Sequence, residues 1–92
     1  SIAEVRHGQS AVITYLQTAF FNVYEWQVKG SLKFSKHAPY TLATVIEGYG
    51  KLVVDGEEYE LALGASFILP DQITSWEVQG DLKIIASEPG SK

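Results

Sequence analysis

The chain has 92 residues, no cysteine, seven Lys and Arg against eleven Asp and Glu, and a formal charge of −4. A length of this order supports one domain that buries roughly 60% of its unfolded surface, and the lack of cysteine excludes disulfides and thiolate zinc sites. The scattered basic residues form no nucleic-acid footprint, no apolar run has the length of a membrane span, and a hydrophobic share of 46% excludes a disordered chain.

In chain order, Ser1–Ser10 is polar, shows no clear period and reads as a lead-in or linker, with the folded domain over 11–92. The start at Ser1, without a basic-then-apolar leader, implies a trimmed Met or a piece of something longer. The stretch FFNVYEWQV is apolar on both faces, with Phe20, Tyr24, Trp26 and Val28 against Phe21 and Val23. A strand of this kind is expected between two layers or at a chain interface. TLATVIE and KLVV continue the β-rich run, and Gly48-Tyr49-Gly50 is expected to break one strand from the next. Asp55-Gly56 is a two-residue hairpin signal, because a type I′ turn needs positive φ at both central positions. In YELAL, Tyr59, Leu61 and Leu63 are expected on one buried face. Gly64, Pro70-Asp71, Gly80-Asp81 and Pro89-Gly90 mark further turns. SWEVQ sets Trp76 and Val78 on one face, and LKIIAS sets Leu82, Ile84 and Ala86 on one face. No helical period emerges, so the expected class is all-β: a sandwich or barrel of short antiparallel strands.

The turn residues carry a resemblance. Gly48, Gly64 and Pro70, the last two separated by five residues, match anchors of the two motifs of the cupin family, so the chain resembles a single-domain cupin jelly-roll barrel. Aligned on these anchors, the metal-ligand positions of that family fall on Ser35, His37, Thr41 and Ser75, and the second motif's inner glycine falls on Gln72. Only His37 keeps a ligand type. Divalent metals in such sites need imidazoles and a carboxylate, and hydroxyls are poor substitutes, so these positions imply a degenerate site that holds no metal.

FFNVYEW, VIEGYGKL, YELALGASFILP and GDLKIIASEP are similar, more narrowly, to the C-terminal cupin of bacterial type I mannose-6-phosphate isomerases, from about Val12 to Pro89. That resemblance implies a cytoplasmic parent enzyme that interconverts mannose 6-phosphate and fructose 6-phosphate with one zinc ion. It implies that the zinc ligands and catalytic groups precede this segment, and that the segment itself is non-catalytic, inactive alone and packed against the catalytic portion. No catalytic, cofactor or metal residue is assigned here. A stand-alone, metal-free cupin that binds a small molecule in its barrel is the alternative, and the missing ligands disfavour a metal-dependent cupin enzyme.

Individual side chains are read conservatively. His37 is expected to line the barrel or lie on its surface, and His7 to be exposed. Glu57-Glu58 at a hairpin tip reads as a solvated edge rather than an acid–base pair. Phe20, Phe21, Tyr24 and Trp26 are expected to pack in core and interface rather than stack on a sugar, and Trp76 to pack rather than line a barrel mouth. Gly48-Tyr49-Gly50 is no phosphate loop, since it lacks a lysine and a following helix. The two-faced strand Phe20–Val28 predicts a two-fold homodimer for the isolated chain.

Overall fold

A computed structural model describes residues 2–90; Ser1 of the expected lead-in and Ser91 and Lys92 of the expected domain lie outside the described residues. The described residues form seven strands: β1 (Ala3–His7), β2 (Ser10–Gln17), β3 (Phe21–Ser35), β4 (Thr41–Val54), β5 (Glu57–Leu61), β6 (Ser66–Leu69) and β7 (Ser75–Pro89). All pairings are antiparallel, in the order β1-β2-β3-β7-β4-β5, with β6 on the free side of the first half of β4. This is the all-β, antiparallel class that the sequence predicts. Among the described residues no helix is long and apolar enough to cross a membrane.

The centre of the sheet is the ladder β3-β7-β4, whose strands have 15, 15 and 14 residues. A straight 15-residue strand would span about 50 Å, yet the longest dimension of the molecule is 33 Å. The strands therefore bend. The bend is located by a cross-strand row in which Gly30 pairs with Gly80 and Gly80 with Gly50. The backbones here come too close for side chains: a Cβ at Gly50 would overlap the Gln79 carbonyl oxygen, and one at Gly80 would crowd the Gly50 Cα. Gly48-Tyr49-Gly50 and Gly80-Asp81, read as strand ends in the sequence, thus lie inside continuous strands. Glycine serves there for close approach and bending rather than for a chain reversal.

The bend turns one face of the long strands inward along their whole length. Tyr24, Trp26, Val28, Leu32 and Phe34 of β3 meet Trp76, Val78, Leu82, Ile84 and Ala86 of β7 in a single core. On β4 the inward residues are Ala43 and Val45 before an irregularity between Val45 and Glu47, and Leu52 after it. That extra residue is a bulge that shifts the inward phase from odd to even positions. The Asp55-Gly56 turn has φ of 51° and 81°, as a type I′ hairpin requires.

Two expectations change. The polar lead-in contributes an edge strand, since Ala3–His7 pairs with Ser10–Thr14 through backbone hydrogen bonds that need no apolar pattern of its own. In YELAL only Leu61 is buried, while Tyr59 and Leu63 are exposed. The reason is position: β5 ends the sheet path and stops at Leu61, so Leu63 sits in the following turn.

The glycine row yields a contrast between two substitutions. Gly56→Ala meets open space and only a positive φ, so it should cost about 1–2 kcal/mol. Gly50→Ala drives a Cβ into the Gln79 backbone and should cost about 3 kcal/mol or more. Urea unfolding of the two variants measures the difference; equal costs would remove the row from its place as the bend.

Candidate functional site

The even positions of β7 point inward, and that phase continues to its end. Leu82, Ile84 and Ala86 are followed by Glu88, which places a carboxylate on the core face at only 5% exposure. Pairing with Asn22 of β3 brings it beside Tyr24, whose hydroxyl donates to Glu88 Oε1 at 2.9 Å. His37, in the connection between β3 and β4, places Nε2 2.8 Å from the same oxygen and sets its ring edge-on to Tyr24. The imidazole is largely exposed, so it caps a buried carboxylate from the solvent side.

These groups form one end of a cavity of about 270 Å³. Val12, Trp26, Leu32, Phe34 and Trp76 also line it, as does Lys33, and the Trp76 Nε1–H is buried without a hydrogen-bond partner among the described residues. The aromatic rings pack on each other: Trp26 on Phe34 with centroids 4.2 Å apart, and Phe34 on Trp76 at 5.5 Å and nearly parallel. Thr41, the first residue of β4, is 4% exposed and also lines the cavity. The Leu42–Ser87 pair sets Thr41 one step from Glu88 on the neighbouring strand.

The four positions aligned with cupin metal ligands do not all share one site: Ser35, His37 and Thr41 line this cavity, whereas Ser75 lines a neighbouring depression together with its cross-strand partner Ser35, which borders both. Among the described residues no three His, Cys, Asp or Glu side chains converge as a ligand set. His37 and Glu88 are two candidate donors bound to each other, and a zinc site takes at least three protein ligands. These residues do not fit a zinc ion, and no chemical step is derived through one.

Trp76, read as packed away from a barrel mouth, is both buried and part of the cavity wall. His7 is exposed at the cavity rim. Glu57 and Glu58 are exposed after the β4–β5 turn, and Glu58 pairs with Lys51. Sequence reasoning missed Glu88. The signal was available, because extending the LKIIAS alternation by one step puts a carboxylate in phase with Leu82, Ile84 and Ala86.

A family model described as the cupin domain of mannose-6-phosphate isomerase matches residues 11–89. The mannose-6-phosphate isomerase of Streptococcus mutans is 47% identical over 72 residues, which is 78% of this chain and 23% of that protein. A probable mannose-6-phosphate isomerase of Bacillus subtilis, GmuF, is 32% identical over 82 residues, 89% of this chain and 26% of that protein. Among solved structures, the mannose 6-phosphate isomerase from Bacillus subtilis superposes with a TM-score of 0.90 at 26% identity, over 96% of this chain and 28% of that one. An RmlC-like cupin protein from Desulfovibrio desulfuricans, at 18% identity and a TM-score of 0.74 over 92% of this chain and 88% of that one, shares the fold. The chain thus spans about a quarter of the length of the curated relatives it matches.

The Tyr24–Glu88 contact has a pH signature. Burial first, and the bond to Glu88 second, push the Tyr24 phenol from 10.0 up to about 12. A raised pKa means stability that is fully present below the unfolded value and lost as pH climbs through the folded one. The contribution should therefore hold below pH 10 and disappear between 10 and about 12. Ultraviolet titration of the tyrosines should show a component near 12 that Tyr24→Phe removes; its persistence in the variant would place the perturbed phenol elsewhere.

Proposed function

The chain belongs to the mannose-6-phosphate isomerase cupin-domain family, and we propose that it is the non-catalytic cupin unit of a longer isomerase that interconverts mannose 6-phosphate and fructose 6-phosphate. Its task in this reading is to dock against the catalytic portion and hold it in place. The zinc that the resemblance implies belongs to that preceding portion, and no residue of this chain is assigned to it. A cytoplasmic location is part of the same reading.

The observation that carries the proposal is the outer face of the sheet. One cross-strand row runs Ile68 (β6), Leu42 (β4), Ser87 (β7), Val23 (β3) and Leu16 (β2). Four of these five are aliphatic, and Ile68 and Leu42 are 61% and 42% exposed. Phe21, two residues before Val23 on β3, is also exposed. A contiguous apolar strip on the solvent face of a sheet is an interaction surface. The relatives supply a natural occupant, because the chain accounts for only about a quarter of their length.

The same strip locates the association expected of the isolated chain. Phe21 and Val23 belong to the outward side of β3, while Tyr24 and Trp26 point into the core. Without its catalytic partner the chain should cover the strip with a second copy, as a two-fold dimer.

Two measurements test the reading. The chain alone, supplied with zinc, should show no isomerisation of mannose 6-phosphate; turnover would overturn the non-catalytic assignment. In sedimentation at about 100 µM, where a micromolar dimer is nearly saturated, the chain should be dimeric. Leu42→Asp with Ile68→Asp should make it monomeric with little change in unfolding midpoint. A wild-type monomer, or a dimer indifferent to that pair, would remove the strip from its role.

A further inference from the structure

We propose that the cavity between β3, β4 and β7 binds an uncharged, hydroxyl-rich ring of monosaccharide size. The inference rests on unfilled hydrogen-bonding capacity at the polar end of the cavity. Among the described residues two carboxylates are more than nine-tenths buried, Glu25 on the outer face and Glu88 in the cavity. Glu25 uses both oxygens, since Tyr15 donates to Oε1 at 2.8 Å and Gln27 donates to Oε2 at 2.7 Å. Glu88 does not. Tyr24 and His37 both approach Oε1, and Oε2 has no partner among the described residues. Thr41, one residue before the Leu42–Ser87 pair of the β4–β7 ladder, is also buried, and its hydroxyl has no side-chain or main-chain partner among the described residues. Neither atom is sealed from solvent, so both are open toward the cavity; the one fully buried side-chain polar atom without a partner among the described residues is Trp76 Nε1, a donor on a residue that lines the same cavity, and buried polar groups are almost always paired with protein, water or ligand.

The pattern of open groups selects the ligand. A carboxylate oxygen accepts only, while a threonine hydroxyl both donates and accepts. Adjacent hydroxyls on a sugar ring satisfy the two together: one donates to Glu88, and its neighbour exchanges a hydrogen bond with Thr41. The apolar wall of Trp26, Leu32, Phe34 and Trp76 then covers the C–H face of the ring. An anion beside Glu88 Oε2 would be repelled by that carboxylate, although the exposed Lys33 also lines the cavity. A cation would have to displace His37, which lies 2.8 Å from that carboxylate. A cavity of about 270 Å³ is several times the share of volume of one water.

This site is on the opposite face of the sheet from the docking strip, so the two readings stand or fall separately. A monomeric chain that binds sugar would refute the docking proposal alone. Both tryptophans of the chain line the cavity, which makes intrinsic tryptophan fluorescence a local reporter. Titration with D-mannose and with D-glucose should give a saturable change for at least one of them. Thr41→Val and Glu88→Gln should each weaken it by roughly tenfold, the scale of one lost hydrogen bond. Thr44→Val, whose hydroxyl lies on the outer face against Ser66, should leave it unchanged. If Glu88→Gln fails to fold by circular dichroism, Thr41→Val decides. No saturable response to either sugar, a response indifferent to Thr41→Val, or a response to choline in preference to both sugars would overturn the proposal.

Discussion

The architecture depends on the approach of three backbones at Gly30, Gly80 and Gly50. Strands of 14 and 15 residues would otherwise form a long flat ladder with one apolar face left open to water. Where the glycines meet, the strands pass too close for a Cβ at two of the three positions, and the ladder folds over. Residues from the two halves of each strand, such as Ile84 and Trp76 on β7, then share one core. The hydrophobic effect supplies the driving force, but the absence of side chains along one row decides where it can act.

That bend also sets the chemistry of the inward face. Closing the sheet over Trp26, Trp76 and Phe34 uses most of the aromatic surface in ring–ring packing. The polar residues that share the inward phase, Glu88 and Thr41, are left near the end of the core, where Tyr24 and His37 reach Glu88. Leaving a carboxylate unpaired in this position would be costly. The Tyr24 phenol offsets that cost in part and is itself held in its neutral form, first by burial and then by this contact. On the other face, Glu25 is enclosed by Tyr15 and Gln27, and the lower-than-usual pKa of its carboxyl follows mainly from the Gln27 bond.

The two faces of the sheet thus differ in kind. The inner face encloses a cavity with polar groups at one end. The outer face carries the aliphatic row from Ile68 to Leu16. A metal-binding cupin would concentrate its chemistry at Ser35, His37, Thr41 and Ser75. Here Ser75 is not among the residues that line the cavity, and His37 is engaged with Glu88.

Alternation in the sequence determined the class of structure and most of the core. Trp76, Val78, Leu82, Ile84 and Ala86 are inward because a strand repeats every two residues, and that period is visible without coordinates. The Asp55-Gly56 turn was equally legible, since its backbone angles are a local demand on residue type. Glu88 was legible in phase but not in meaning, because its partners Tyr24 and His37 lie 64 and 51 residues away in sequence. The interior glycines were misread for a related reason: a glycine that ends a strand and one that lets a second strand approach look identical in one dimension. Ala3–His7 became a strand only through hydrogen bonds to β2. Local periodicity follows from covalent geometry, so a single sequence reveals it. Which strands touch, which glycine meets which carbonyl and which carboxylate finds a hydroxyl depend on contacts between distant segments, and only the folded chain decides those.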